Sequence, residues 1–125
     1  MIKMAAITLD CANAVAVAEF WSSVLGKPID DGPPAPSPFF TRILADDGAE
    51  SGSPCPMMMF IQVPEAKSTK NRVHLDFDAD DREAEVARLI GLGATHIHDK
   101  TEWGMTWTTL ADPEGNEFCV GSGTH

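Results

Sequence analysis

The sequence predicts an α+β fold built from two modules that share the element order βαβββ. Two amphipathic helical segments, residues 13–26 and 80–93, each follow a short apolar segment and precede three strand-like segments. Apolar residues recur at helical spacing in the helical segments, whereas the strand-like segments are alternating or short apolar runs. Because the same order occurs twice in 125 residues, we expect one domain made of two modules, about residues 1–64 and 71–123.

The first module begins with an apolar strand at residues 2–10 and continues into the first helix. Asn13 is a suitable N-cap because its side chain accepts hydrogen bonds from the first turn, and Gly26 is a suitable C-terminal stop. The proline-rich stretch after the helix predicts a short strand around residues 27–30 and then a surface loop. Two further strands are predicted at residues 39–47 and 57–64.

The second module opens with alternating apolar and polar residues over residues 72–80, which indicates a half-buried strand. In the helix that follows, Asp80 as N-cap and Glu83 three residues later are similar to a capping box, and Gly93 ends the helix. Three further strands are predicted at residues 94–100, 105–112 and 116–123.

The stretch "DPEGN" before the last strand predicts a tight turn, because Pro fixes φ, Asp bonds nearby backbone and Gly accepts a positive φ. In the strand after it, Phe118 and Val120 alternate with Glu117 and Cys119. The apolar pair is expected to face the helix, so Glu117 and Cys119 face the opposite side of the sheet. By the same alternation that opposite face also receives residues of the preceding strand, namely Met105, Trp107 and Thr109.

Charge and cysteine content restrict the partners and the compartment. The formal net charge of −10 makes nucleic acids and anionic membranes poor partners. No apolar run approaches the roughly 18 residues of a membrane span. Three cysteines without metal-finger spacing and without a persuasive export signal predict free thiols and a cytoplasmic protein.

Several side chains are candidates for binding a ligand, each with an alternative role. Aromatic and Met side chains on the face of Met105 and Trp107 suit a flat organic ligand, although they could also fill the fold or a dimer seam. Phe40 and Phe60 carry the same two interpretations, with core packing as the alternative. His96 and His98 are predicted to share one face of a strand, where a solvated edge is favoured over a metal site.

Four stretches together carry a family resemblance: "EFWSSVLGKP", "VPEAKSTKNRVHLDFDADD", "VARLIGLGAT" and "WGMTWTTLADPEGNEFCV". With them the chain resembles the vicinal oxygen chelate superfamily of glyoxalases, bleomycin resistance proteins and extradiol dioxygenases, and above all its small glyoxalase-like domain proteins. The resemblance implies paired βαβββ modules whose curved mixed sheets form a shared cleft. It also implies a homodimer.

The resemblance further implies where a metal would bind in metal-dependent members. Their ligand positions correspond to His74, to Cys119 in place of a carboxylate, and to a position near Ala6, which has no ligand group. A thiolate and an imidazole could bind zinc with Glu117, Asp76 or Asp10 as the third ligand. Because the expected ligand set is depleted, we expect no metal cofactor, with a divalent metal as the disfavoured alternative.

The function expected from the sequence is small-molecule binding of the glyoxalase and bleomycin-resistance type. An aromatic or cationic compound would be sequestered in a metal-free cleft. The alternative is a glyoxalase-like lyase or isomerase, either metal-dependent or using His74 as a base. The candidate ligand-binding residues are His74, Met105, Trp107, Thr109, Glu117, Cys119, Phe40 and Phe60.

Overall fold

The computed structural model describes residues 1–122, and the chain divides into two compact units, Met1–Ala66 and a second that begins at Lys67. Each unit places one helix on a small mixed sheet, so the predicted α+β fold of βαβββ-like modules is confirmed. The first unit contains β1 (Ala6–Cys11), α1 (Ala14–Leu25), β2 (Phe40–Ile43) and β3 (Met57–Gln62). The second contains β4 (Leu75–Ala79), α2 (Arg82–Leu92), β5 (Thr95–Glu102), β6 (Met105–Ala111) and β7 (Glu117–Ser122).

In the first unit the strand order is β1-β3-β2, with β1 parallel and β2 antiparallel to β3. The side chain of Asn13 accepts a hydrogen bond from the Ala16 N–H, and Gly26 ends α1 at a φ of 65°. Both predicted ends of the helix are therefore confirmed. Trp21 and Phe60 are almost fully buried, which marks the hydrophobic core of this unit.

The strand predicted around residues 27–30 is wrong, because this segment runs beside β2 as irregular structure. The Asp30 N–H donates to the Arg42 carbonyl at 2.9 Å, and the Asp30 carboxylate accepts from Arg42 Nε at 2.6 Å. Pro28 has no N–H to donate to a ladder, and further prolines follow. The segment is consequently attached to β2 by an ion pair and a single backbone bond in place of a ladder.

In the second unit the strand order is β4-β7-β6-β5, with β4 parallel to β7 and the other pairs antiparallel. Helix α2 packs on one face of this sheet, where Leu89, Leu110, Phe118 and Val120 are at most 1% exposed. The predicted orientation of Phe118 and Val120 toward the helix is thus confirmed. Glu117 and Cys119 lie on the opposite face.

The predicted N-cap of α2 is displaced by one residue. Asp81 has the extended backbone of an N-cap, and its carboxylate accepts from the Ala84 N–H at 3.1 Å. The prediction of Asp80 is wrong because two adjacent aspartates are equally suited to capping by residue type, and α2 begins at Arg82, directly after Asp81. The predicted stop at Gly93 is confirmed.

The prediction that His96 and His98 share one face of β5 is also wrong. His96 lies opposite Leu110 and His98 opposite Thr109, with a register shift between the two histidines. Such a β-bulge inserts one extra residue and reverses the facing of everything beyond it. His98 therefore faces away from α2, while His96 is on the helix side and bonds Asp99 at 3.2 Å. As predicted, β5 is an exposed edge strand.

The turn between β6 and β7 is organised by the buried carboxylate of Asp112, which is 3% exposed. This carboxylate accepts from the backbone N–H groups of Glu114 and Asn116, each at 2.9 Å, and from the Asn116 amide at 3.0 Å. Gly115 has the positive φ of 88° that the turn requires. The turn fixes the register in which Thr109 lies opposite Cys119.

We expect Asp112→Ala to lower the free energy of unfolding by about 2–3 kcal/mol, because three donors in a buried turn lose a charged acceptor. The measurement is urea unfolding followed by circular dichroism. Asp112→Asn, which keeps one acceptor oxygen, should lose less. Asp31→Ala, which alters an exposed carboxylate, is the control and should stay within about 0.5 kcal/mol. Equal losses in Asp112→Ala and Asp31→Ala would contradict this account of the turn.

Candidate functional site

The face of the second-unit sheet that is turned away from α2 carries a pocket of about 420 Å³. Six of the eight ligand-binding residues predicted from the sequence line it: His74, Met105, Trp107, Thr109, Glu117 and Cys119. Five polar residues outside the predicted ligand-binding set also line it: Lys70, Asp76, Asp78, His98 and Lys100. The pocket thus combines apolar side chains such as Met105 and Trp107 with several polar and charged ones, which can orient a small molecule.

Strand pairing brings the predicted residues together. Thr109 and Asp76 both lie opposite Cys119, on the two strands that flank β7. Trp107 lies opposite Gly121, where the missing side chain leaves room above the sheet. Since side chains on one face of a strand repeat every second residue, Met105, Trp107 and Thr109 form one row of the pocket.

The alternation in the sequence places Asp76 and Asp78 on the face of His74, opposite Leu75 and Phe77, and both aspartates line the pocket. His98 faces the pocket only because of the β-bulge in β5. A bulge depends on how two strands pair, and neither strand shows it alone.

Phe40 and Phe60, the other two predicted residues, belong to the first unit and do not line this pocket. Phe60 is fully buried in β3, with an exposure of 0%. That position agrees with the core-packing alternative for Phe60. Phe40 is half-buried on β2.

At the base of the pocket, the Cys119 thiol lies among polar groups. Its sulfur is 3.9 Å from His74 Nδ1 and 3.4 Å from the Thr109 hydroxyl. His74 Nδ1 lies 3.2 Å from an Asp76 carboxylate oxygen. Burial raises the pKa of the Cys119 thiol, the Thr109 hydroxyl opposes this rise, and the negative charge of Asp76 adds to it. The protonated thiol is therefore the dominant form at neutral pH.

His74, Asp76 and Cys119 together satisfy a first test for a metal site. One donor atom of each lies within 4.8 Å of the other two. Tetrahedral zinc with these ligands needs donors separated by about 3.3–3.6 Å, from metal–ligand bonds of about 2.0–2.3 Å. Imidazole and thiolate fit zinc or a softer ion, and they do not fit magnesium or calcium. Of the third ligands considered from the sequence, Asp76 is the one placed beside both partners.

Glu117, by contrast, is occupied as a structural anchor. Its carboxylate accepts from the Asn71 N–H at 3.2 Å and pairs with Lys67 at 3.3 Å and Lys70 at 3.8 Å. Although burial alone would raise the pKa of Glu117, the Asn71 N–H and the Lys67 ammonium bring it below its ordinary value. These bonds fasten the segment before β4 to β7. Asp10, the other third ligand considered, is in β1 of the first unit.

The aromatic wall of the pocket extends beyond its lining residues. Trp107 stacks on Trp103, with ring centroids 6.4 Å apart and an angle of 18° between the planes. Trp103 is 82% exposed and Met105 is 43% exposed. Among residues 1–122, Trp103 alone combines a side chain with a positive φ, at 53°. This backbone conformation costs an L-residue about 1–2 kcal/mol.

The family model of the glyoxalase-like domain matches residues 6–121. The chain therefore belongs to the glyoxalase-like domain family, within the vicinal oxygen chelate superfamily, and the resemblance stated from the sequence is confirmed. Among curated proteins, none matches the chain by sequence. None of the described helices is long and apolar enough to cross a membrane.

Solved structures share the fold at low sequence identity. A glyoxalase/bleomycin resistance protein/dioxygenase family enzyme from Burkholderia phytofirmans PsJN is 21% identical, with a TM-score of 0.71 over 97% of this chain and 98% of that one. Lactoylglutathione lyase from Agrobacterium tumefaciens is 17% identical, with a TM-score of 0.64 over 98% of this chain and 95% of that one.

A third similar structure is a mutant of the fosfomycin resistance protein FosX from Listeria monocytogenes, complexed with Mn(II) and 1S,2S-dihydroxypropylphosphonic acid. It is 13% identical, with a TM-score of 0.72 over 99% of this chain and 93% of that one. At these identities the likeness establishes the fold of the chain and leaves its chemistry to be argued from its own residues.

The raised pKa of Cys119 yields a prediction for its alkylation, because iodoacetamide is attacked by the thiolate form of a cysteine. In a Cys11→Ser/Cys55→Ser background, Asp76→Asn should lower the pKa of Cys119, because it removes a negative charge beside the thiol. The alkylation rate at pH 7 should rise, and the rate profile should move to lower pH. The measurement is mass spectrometry at several pH values.

Asp78→Asn is the matched control for that experiment, because Asp78 lies two residues along the same strand and also lines the pocket. It should change the alkylation rate much less than Asp76→Asn does. An unchanged or slower rate in Asp76→Asn would show that the thiol does not sense the carboxylate.

Proposed function

We propose that the pocket of the second unit binds a planar aromatic compound that is neutral or cationic, and that the chain sequesters this compound without needing a metal. The observation that carries the proposal is the wall of Met105 and Trp107 above a half-apolar floor that includes Cys119. Met and Trp side chains present polarizable, flat surfaces that suit aromatic rings. A volume of about 420 Å³ falls within the range of small-molecule sites.

Charge favours a cation over an anion in this pocket. Lys70 and Lys100 line it, yet Lys70 lies 3.8 Å from Glu117 and Lys100 lies 3.4 Å from Glu102. Asp76 and Asp78 add carboxylates on the side of β4. The whole chain carries a formal net charge of −10, which attracts cations over a long range.

The proposal also covers the cellular compartment, the partners and the biological role of the protein. Three free thiols, those of Cys11, Cys55 and Cys119, suit the reducing cytoplasm. We also propose a homodimer, because members of the superfamily often dimerise. The negative charge disfavours nucleic acids as partners. Antibiotic resistance by sequestration is the biological role that this function would serve.

A thermal-shift screen tests the proposal. A planar aromatic cation such as proflavine, at about 0.1 mM, should raise the Tm of the protein, since a ligand at 100 times its Kd stabilises by about 2.7 kcal/mol. The planar anion anthracene-1-sulfonate should shift it less. Trp107→Leu should abolish the shift, while Ile90→Leu on the exposed side of α2 should preserve it. No shift with any planar compound in the wild type would refute the proposed function.

The second candidate is a glyoxalase-like lyase or isomerase, favoured by the grouping of His74, Asp76 and Cys119. In a metal-free reaction, the Asp76 carboxylate at 3.2 Å would orient the His74 ring, which could then accept a proton from a carbon acid. In a metal-dependent one, the three side chains would hold the ion, which would supply a Lewis acid for a substrate oxygen. His74 performs a different role in each case.

Elemental analysis of protein purified without a chelator decides between these roles. The binding function predicts no stoichiometric zinc, manganese or iron in the wild type. Metal at about one equivalent in the wild type and lost in His74→Ala and Asp76→Asn would establish the metal-dependent alternative. His98→Ala, which changes a pocket histidine outside the cluster, is the matched control and should leave the metal content unaltered.

A further inference from the structure

The hairpin between β5 and β6 places an exposed tryptophan where its backbone is disfavoured. Glu102 and Met105 are paired, so Trp103 and Gly104 form a two-residue loop. Both have positive φ, at 53° and 76°. This is the pattern of a type I′ turn, in which Asn-Gly is strongly preferred. Gly104 suits its position, whereas a bulky side chain at Trp103 does not.

Packing within the second unit does not compensate for this choice. Trp103 is 82% exposed, so its ring buries little surface against the protein. Its ring contact is the offset stack on Trp107, at a centroid separation of 6.4 Å. A residue held in an unfavourable backbone conformation with little burial in return is a candidate for a role outside folding.

The position of the stack, between the hairpin tip and the pocket, indicates what that role is. Trp107 lines the pocket, and Trp103 lies against it at the hairpin tip. The two rings and the half-exposed Met105 therefore make a continuous apolar surface that leads from the loop into the pocket. An aromatic ring offers both a flat face for stacking and a negative quadrupole that attracts cations.

We propose that Trp103 is a specificity-determining residue that stacks on a planar aromatic cation at the mouth of the pocket. Trp107 would contact the same ligand further inside. This inference rests on the proposed function, and it names the residue and the ligand class that would give that function its selectivity. The unfavourable turn is then retained because Asn at position 103 would fold better and bind worse.

The test compares Trp103→Asn with the wild type in two measurements. Because Asn-Gly is the preferred type I′ pair, the Tm without ligand should rise by about 3 °C. The Kd for proflavine, measured by fluorescence anisotropy, should become about threefold to tenfold larger through the loss of one stacking contact. Trp103→Phe keeps a ring at the position and should retain most of the affinity.

Two controls separate stacking from other effects. Ile90→Asn replaces another exposed apolar side chain, on α2, and should leave the Kd for proflavine unchanged. Tetraethylammonium, a cation without an aromatic plane, contacts the ring through its quadrupole alone, so Trp103→Asn should weaken its binding less than that of proflavine. An equal fold-loss of affinity for both cations in Trp103→Asn would indicate a purely electrostatic effect and would overturn the stacking role.

The remaining outcomes distinguish failure of the inference from failure of the proposed function. If the wild type binds proflavine and Trp103→Asn binds it equally well, Trp103 is not a specificity residue although the pocket is a binding site. If Trp103→Asn has a lower Tm, the stack on Trp107 serves folding, and the inference is wrong. If the wild type binds no planar cation, both proposals fall together.

Discussion

The geometry of the second unit depends on the buried carboxylate of Asp112. By binding two backbone N–H groups and the Asn116 amide, it closes the turn between β6 and β7 in one register. A register shift of one residue would exchange the two faces of β7. Phe118 and Val120 would then leave the core, and Cys119 would lie beneath α2. The hydrophobic core and the pocket are therefore specified by the same turn, because they are opposite faces of one strand.

The β-bulge in β5 has the opposite effect on register: the Asp112 turn keeps β7 in one register, whereas the bulge shifts the register of β5. It reverses the facing of β5 beyond Ile97, which brings His98 to the pocket side and Asp99 to the helix side. Asp99 accepts from the Thr108 hydroxyl at 2.6 Å, and that hydroxyl also accepts from Arg82 at the start of α2. These bonds lower the pKa of Asp99, with the Thr108 hydroxyl as the main cause and His96 as the next. The edge strand is thereby fixed to the helix while it contributes a side chain to the pocket.

Local patterns in the sequence were sufficient for most of the fold and for one side of the site. Helix ends at Asn13, Gly26 and Gly93 followed from residue chemistry, and the facing of Cys119 followed from alternation after a recognisable turn. What failed depended on pairing between segments. Residues 27–30 resemble a strand in sequence, but Pro28 has no N–H to donate, and the segment does not form a ladder with β2. The facing of His98 depends on a bulge that is visible only when β5 and β6 are paired. Asp80 and Asp81 could not be ranked, since either aspartate can cap a helix.

Sequestration and metal-dependent catalysis make opposite demands on the protonation of Cys119. Coordination requires a thiolate, so a metal would have to displace a proton that burial and the neighbouring Asp76 charge both help to retain. A wall for an apolar ring requires the neutral thiol, which the pocket already favours, and the Thr109 hydroxyl 3.4 Å away satisfies its polarity. Asp76 therefore has two effects, since it supplies a third donor for an ion and at the same time makes the thiol a poorer one. The neutral thiol is the lower-cost state of this arrangement, and it therefore supports the proposed binding function, in which Trp107 contacts the ligand, over coordination of an ion by the three donors.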